Sequence, residues 1–184
     1  MNHEQLWAPW RLEYISGNQE KKPAPATLLP GGDPDCFLCQ AAAGSDDHDR
    51  LVVQHGHYSL TVLNRYPYNN GHLLVAPKHH VARLDQLEAV EQYNLMRTIV
   101  QMTGLLEHTI QAEGFNVGLN LGQVAGAGLP GHLHWHIVPR WHGDTNFMPT
   151  LAGIRVIPQS LEALWEILTK ALGTGKPHHD ENIK

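Results

Sequence analysis

Cysteine is nearly absent from this 184-residue chain: Cys36 and Cys39 are its only two. Two thiols cannot staple a secreted disulfide scaffold, which needs several bridges. Long apolar runs are missing as well. None exceeds four residues, well short of the roughly 20 that a membrane span needs or the roughly 7–15 of a secretory signal core. The expectation is a cytoplasmic protein with no membrane partner. Basic runs are equally short, and the net charge is −5. A sequence-independent nucleic-acid binder needs a basic stripe, so a nucleic-acid polymer is not the expected partner. Hydrophobic residues at 42% and charged residues at 17% fit one ordinary globular domain. What the chain has in excess is histidine. It carries 14, where ordinary usage gives roughly 4.

Residues 1 to 35 read as an extended N-terminal arm, punctuated by Pro23, Pro25, Pro30, Gly31, Gly32 and Pro34 and lacking a clear period. Its cluster of Leu6, Trp7, Trp10 and Tyr14 is too aromatic for a free tail, and is expected to pack on the body or on a second subunit. The body spans 36 to 172, and residues 173 to 184 read as a disordered tail. Cys36 to Gly44 reads as a short helix. Strands are expected at 51–54, 58–63 and 72–76, the last ended by Pro77. Asp85-Gln86-Leu87-Glu88 has capping-box spacing and should open a long helix to about Ala112. Leu95, Ile99, Met102, Leu106 and Ile110 form its stripe, and Gly114 should end it. A strand at 115–121, a Gly-rich loop at 122–131, and a strand at 132–138 stopped by Pro139 follow. Ser160 should cap a last helix with Leu161, Leu164, Trp165, Leu168 and Leu172 on its face. The fold class is α+β: an antiparallel sheet with one long helix and a C-terminal helix.

The most informative segment is His132-Leu133-His134-Trp135-His136. Alternate strand residues share a face, so the three histidines should line one side and Leu133, Trp135 and Ile137 the core. Chance alone would place three histidines this way about 8% of the time at this composition, so context must decide. The context is a loop with glycines at 122, 126, 128 and 131 that runs straight into the histidines. Backbone N–H groups free of side chains can cradle an anion, and imidazole nitrogen can attack phosphorus. Metal ligation is the other use of three imidazoles. The Cys36-x-x-Cys39 spacing would arise by chance roughly once in 90 placements. A redox motif would sit in a βαβ context, which is absent. A zinc site would need two further ligands, for which the histidine surplus offers candidates.

The His132-x-His134-x-His136 signature resembles that of the histidine triad (HIT) superfamily of nucleotide hydrolases and transferases. Leu63-Asn64-Arg65, Gly71-His72-Leu73-Leu74-Val75 and Trp7-Ala8-Pro9-Trp10-Arg11 are similar to its bacterial diadenosine tetraphosphate phosphorylase or hydrolase branch. The resemblance implies that His134 is the nucleophile on the α-phosphorus of a dinucleoside polyphosphate, forming a nucleotidyl-histidine that phosphate or water resolves. It implies that His136 contacts the phosphate and helps protonate the leaving group. It places Asn64 on the ribose and Asn120 on phosphate, and gives nucleotide binding to Gly126 and Gly128, where many relatives carry side-chain donors instead. It implies a structural zinc on Cys36, Cys39, His80 and His132, with His79 as fallback for His80, and a homodimer. An adenosine phosphoramidase and an idle nucleotide-binding protein are the alternatives. Uridylyl transfer fits less well, because that branch carries Gln where this chain has His136. His72 is expected behind the triad. Lys78, Arg65 and Arg140 are weighed as polyphosphate contacts, and Trp141 and His142 as contacts on the leaving-group side.

Overall fold

The computed structural model describes residue 25, residues 27–144 and residues 157–174. The aromatic cluster of the arm, the loop after 144 and the tail beyond 174 lie outside the described residues. The elements are α1 (Phe37–Ala43), α2 (Asp47–Arg50), β1 (Val52–His55), β2 (Ser59–Leu63), β3 (Leu73–Pro77), α3 (Ala89–Ile110), β4 (Gly114–Leu119), β5 (Trp135–Arg140) and α4 (Leu161–Thr174). The five strands form one antiparallel sheet in the order β1-β2-β3-β5-β4. The expected α+β class stands.

Two cores sandwich the sheet. On one face Leu95, Ile99, Met102 and Leu106 of α3 and Leu164 and Leu168 of α4 pack on Leu63, Leu73, Val75, Leu133 and Ile137. Their spacing of three or four residues puts one stripe of each helix on the sheet. Burying each such side chain contributes about 2 kcal/mol. On the other face Leu38, Cys39, Ala41 and Ala42 of α1 pack on Val52, Leu60, Val62, Leu74 and Ala76. The strands β2 and β3 are therefore buried on both sides, which is why they read as continuous apolar runs rather than alternating ones. Helix α1 is short and covers only β1, β2 and β3. The β5–β4 half of that face is left uncovered among the described residues.

Several expected boundaries move. The long helix starts at Ala89, not at Asp85. Glu88 is extended (φ −67°, ψ 153°), and its N–H donates to the Glu91 carboxylate at 2.9 Å. The capping pair is thus Glu88 and Glu91, one turn later than expected. Asp85 sits in a separate 3-10 turn, Leu84–Gln86, closed by the Arg83 N–H donating to Gln86 Oε1 at 2.9 Å. The helix stops because Gln111 turns left-handed at φ 52°, while Gly114 opens β4 instead. Pro139 does not stop the last strand, which runs on to Arg140. The Arg140 carbonyl accepts from Glu113 on the β4 side, so Pro139, one residue earlier, faces the β3 side. Pairing with β3 ends at Ile137, so the missing N–H breaks no ladder bond. Helix α4 is capped by the Ser160 hydroxyl, which accepts from the Ala163 N–H at 3.2 Å. It continues to Thr174, past the boundary expected at 172.

Candidate functional site

The strand carrying the histidines begins only at Trp135. Pairing with β3 starts at Val75↔Trp135, and the Leu133 N–H leaves the ladder to donate to the Val81 carbonyl at 2.6 Å. His132 and His134 therefore precede β5 rather than lie in it. Leu133 and Ile137 point into the α3 core and Trp135 packs against it, as alternation requires. The histidines point the other way and divide into two groups.

His132 is 1% exposed. Its Nδ1 lies 3.2 Å from Cys36 Sγ and 3.4 Å from Cys39 Sγ, and His80 Nδ1 lies 3.1 Å from Cys39 Sγ. The four donor atoms of Cys36, Cys39, His80 and His132 all lie within 4.8 Å of one another. The ligand set named in the sequence is thus gathered from α1, the segment after β3 and the approach to β5. His79 turns away, 3.8 Å from the Glu91 carboxylate. The chemistry of the donors fits a metal. His132 Nε2–H donates to the Pro77 carbonyl at 2.9 Å, a tautomer assigned from the network that leaves the Nδ1 lone pair facing the sulfurs. That is the usual arrangement of a metal-bound imidazole and its outer partner. Burial holds the His132 imidazole down at about 4, and pushes the Cys36 thiol up to about 12. A neutral His132 imidazole beside a Cys36 thiol that ionises only with help, with Cys39 and His80 in reach, is a Cys2His2 cluster that a divalent cation completes.

The second group is His134, His136 and His72. His134 is buried, and its Nδ1–H donates to the His132 carbonyl at 2.8 Å, which leaves the lone pair on Nε2. The His134 and His136 rings are 5.1 Å apart. Burial, followed by the His134 ring, holds His136 down at about 4, so it is neutral at pH 7. His72 lies fully buried behind it, 2.9 Å from Nε2 to His136 Nδ1. In front of the pair the sheet is open. Gly118 of β4 pairs directly with His136, and a Cβ added there would meet nothing within 4 Å.

The remaining named residues are placed as follows. Asn64 is half-buried; its Oδ1 accepts from the Tyr66 N–H at 3.0 Å and its Nδ2 lies 3.2 Å from His72 Nδ1. Asn120 follows the end of β4, two residues beyond Gly118. Gly126 takes φ 89° behind the 3-10 turn Gln123–Ala125, a conformation that favours glycine. Added Cβ atoms at Gly126 and Gly128 would meet nothing within 4 Å, so the loop faces open space. Arg140 is not aimed at a substrate: Asp144 holds its guanidinium through two bonds of 2.6 and 2.8 Å, and Asn116 through a third of 2.8 Å. Arg65 donates to the Asp49 carbonyl at 3.0 Å. Trp141 closes α3, its indole N–H donating to the Gln111 carbonyl at 2.8 Å. The His142 N–H donates to the Glu113 carboxylate at 2.8 Å. Sequence reasoning missed the Pro77 carbonyl, the Tyr68 N–H that donates to His72 Nδ1 at 3.1 Å, and the Tyr68 ring stacked 4.8 Å from that of His72. Two of these are backbone groups, which no residue type announces.

A family model described as the HIT domain matches residues 46–143. A Mycobacterium tuberculosis protein named AP-4-A phosphorylase is 39% identical over 158 residues, covering 86% of this chain and 78% of its own length. An adenosine 5'-monophosphoramidase of Candida albicans is 28% identical over 57% of this chain and 70% of its own. Among solved structures, a zinc-bound histidine triad family protein from Mycobacterium smegmatis superposes with a TM-score of 0.56 at 26% identity, covering 67% of this chain and 84% of that one. With its paired histidines on an open sheet face beside a Gly-rich loop, this chain belongs to the histidine triad (HIT) family.

Proposed function

We propose that the chain is a nucleotide hydrolase or transferase that cleaves dinucleoside polyphosphates, of the diadenosine tetraphosphate type, at the α-phosphate. The observation that carries this reading is the 2.8 Å bond from His134 Nδ1–H to the His132 carbonyl. With the Nδ1 proton held there, the Nε2 lone pair is the one aimed at the open face of the sheet, which is the orientation a nitrogen nucleophile needs. In the reaction the Nε2–P bond forms as the bond from phosphorus to the leaving polyphosphate oxygen breaks. His134 keeps its Nδ1 proton throughout, so the positive charge gained on phosphorylation sits against the carbonyl. Phosphate or water then attacks phosphorus and returns the neutral imidazole. His136 contacts the phosphate. The backbone of Gly126 and Gly128 and the side chain of Asn120 take the phosphates, and Asn64 takes the ribose.

A zinc ion on Cys36, Cys39, His80 and His132 would be structural, because four protein ligands leave no open position. It would tie α1 to the approach of the catalytic strand, and hence fix the carbonyl that orients His134. A cytoplasmic location is part of the reading, because thiolate ligands need a reducing compartment. A homodimer is part of the reading. Val90, Tyr93, Met96 and Val100 line the exposed side of α3, and β4 ends the sheet. Light scattering tests it. Residues 1–35 as an arm and 36–172 as the catalytic body complete the organisation.

The decisive experiment incubates the protein with diadenosine tetraphosphate, with and without inorganic phosphate. ADP and ATP formed only with phosphate mark phosphorolysis; AMP and ATP mark hydrolysis. His134→Ala should abolish either. Full activity in that variant, or two molecules of ADP from symmetric cleavage, would sink the reading. The identity with a phosphoramidase favours a second reading, supported if only adenosine phosphoramidates are cleaved.

A further inference from the structure

A cleft of about 420 Å³ lies between the 3-10 turn at Leu84–Gln86 and the start of the Gly-rich loop. Segment 82–85 forms one wall, and Leu121, Gly122 and Pro130 form the other. The cleft sits at the end of the sheet where β3 and β4 stop and β5 begins. Both walls start beside the catalytic histidine. Ala82 follows Val81, whose carbonyl accepts at 2.6 Å from the N–H of Leu133, one residue before His134. Leu121 follows Asn120, which takes phosphate in the reading above. A polyphosphate chain that leaves His134 along the loop is thus led to this cleft. The lining suits a flat, uncharged group. Leu84 is 38% and Leu121 46% exposed, two aliphatic surfaces that gain by being covered. The cation of the lining is already matched: Arg83 donates through Nε and Nη2 to the Asp85 carboxylate at 2.9 and 3.2 Å. The pair has no net charge to offer a phosphate. A guanidinium held along its edge still keeps a flat face that stacks on an aromatic ring. The volume is that of a small-molecule site.

We propose that this cleft is the subsite for the second nucleoside of a dinucleoside polyphosphate, whose base packs on Leu84 and Leu121 and stacks on the guanidinium of Arg83. The inference rests on the α-phosphate reading and deepens it. One nucleoside lies by Asn64 and its α-phosphate meets His134. The remaining phosphates follow the loop, and the leaving nucleoside lies between the loop and the 3-10 turn. The subsite separates two substrate classes. A dinucleotide fills both ends, whereas a phosphoramidate of AMP has nothing to place in the cleft. Binding the leaving half therefore favours the dinucleotide.

The test compares diadenosine tetraphosphate with the terminal methyl ester of adenosine tetraphosphate. The ester keeps the four phosphates and their charge and lacks only the second nucleoside. In the wild type kcat/KM should be about tenfold higher for the dinucleotide, the scale of one stacked base. The double variant Leu84→Ser, Leu121→Ser removes both aliphatic surfaces at exposed positions. It should erase most of the preference by lowering kcat/KM for the dinucleotide, with the ester unchanged. Should the double variant not fold, Leu84→Ser alone makes the same comparison. Equal kcat/KM for the two substrates in the wild type overturns the subsite. So does a preference that survives in the variant, or an equal fall for both substrates. If the wild type cleaves neither compound, the α-phosphate reading fails, and binding judges the cleft by itself. Methyl NMR on the full chain then follows Leu84 and Leu121 as each compound is added. Shifts at both residues with the dinucleotide and not with the ester support the subsite; the same response to both overturns it.

Discussion

Lowering the pH from about 7.5 to about 5 should strip stability from this fold through His132. The ring is 1% exposed. Burial is the main reason that it titrates at about 4 rather than at the ordinary 6.5, with the neighbouring histidines adding to it and the Pro77 carbonyl opposing. The unfolded chain takes a proton on this residue as pH falls through 6.5, while the folded chain refuses it until about 4. Stability is thus fully present above 6.5 and is lost between 6.5 and 4. At pH 5 the loss is about 2 kcal/mol, and the limit at lower pH is about 3 kcal/mol. His136 is shifted the same way for the same main reason. Its ring is only partly buried, so solvent screening reduces its share to about 1 kcal/mol. Together they remove about 3 kcal/mol from a domain whose total is of order 5–15 kcal/mol. Urea unfolding followed by tryptophan fluorescence, in chelator at both pH values, measures this. His132→Gln will be less stable at both, but its pH dependence should shrink by about 2 kcal/mol. An unchanged pH dependence in that variant would refute the reasoning. With zinc bound the sign is the same and the slope steeper, because protons then compete with the metal.

Three other outcomes follow from the packing. Cys36→Ser should lose bound zinc by elemental analysis and drop Tm by about 10 °C, the size expected for roughly 3 kcal/mol in a chain of this length; retention of metal would exclude this ligand set. Gly71→Ala meets two penalties, because Gly71 has φ +75° and a Cβ there would sit 2.7 Å from Ile110 Cδ1 and 3.1 Å from Pro139 Cγ. Left-handed strain and overpacking together should cost about 2–4 kcal/mol, read as a fall in the urea midpoint. Gly118→Val has room in the fold and suits a strand, so stability should hold within about 1 kcal/mol. Its side chain would stand opposite His136 in the open face, and KM for the nucleotide should rise about tenfold while Tm stays put.

The conspicuous features of the chain are answered at different levels. The helical stripes at Leu95–Leu106 and Leu164–Leu168, the strands around Val62 and Val75, and the Gly-rich loop were legible in the sequence. Periodicity and turn chemistry are local, and the buried faces they predict are the ones observed. The His-x-His-x-His spacing and the two cysteines also picked out the residues that the fold gathers. Boundaries were less legible. Asp85 has the right residue type for a cap, but Glu88 and Glu91 close the geometry, because Leu87 and Glu88 stay extended between the 3-10 turn and the helix.

Tertiary structure alone decided how the histidines divide. Alternation in sequence put His132, His134 and His136 on one face and could say no more. The break in pairing before Trp135 turned His132 toward thiols carried by α1, nearly a hundred positions away in sequence. It also placed His132's carbonyl under His134. The partner of His136 is His72, just ahead of the neighbouring strand β3, and the groups that hold His72 include a backbone N–H and an amide. Sequence determined which side chains were available, because composition and spacing are written there. Which nitrogen of each ring carries the proton depends on carbonyls and amides contributed by distant segments, and only the folded chain brings those within bonding distance.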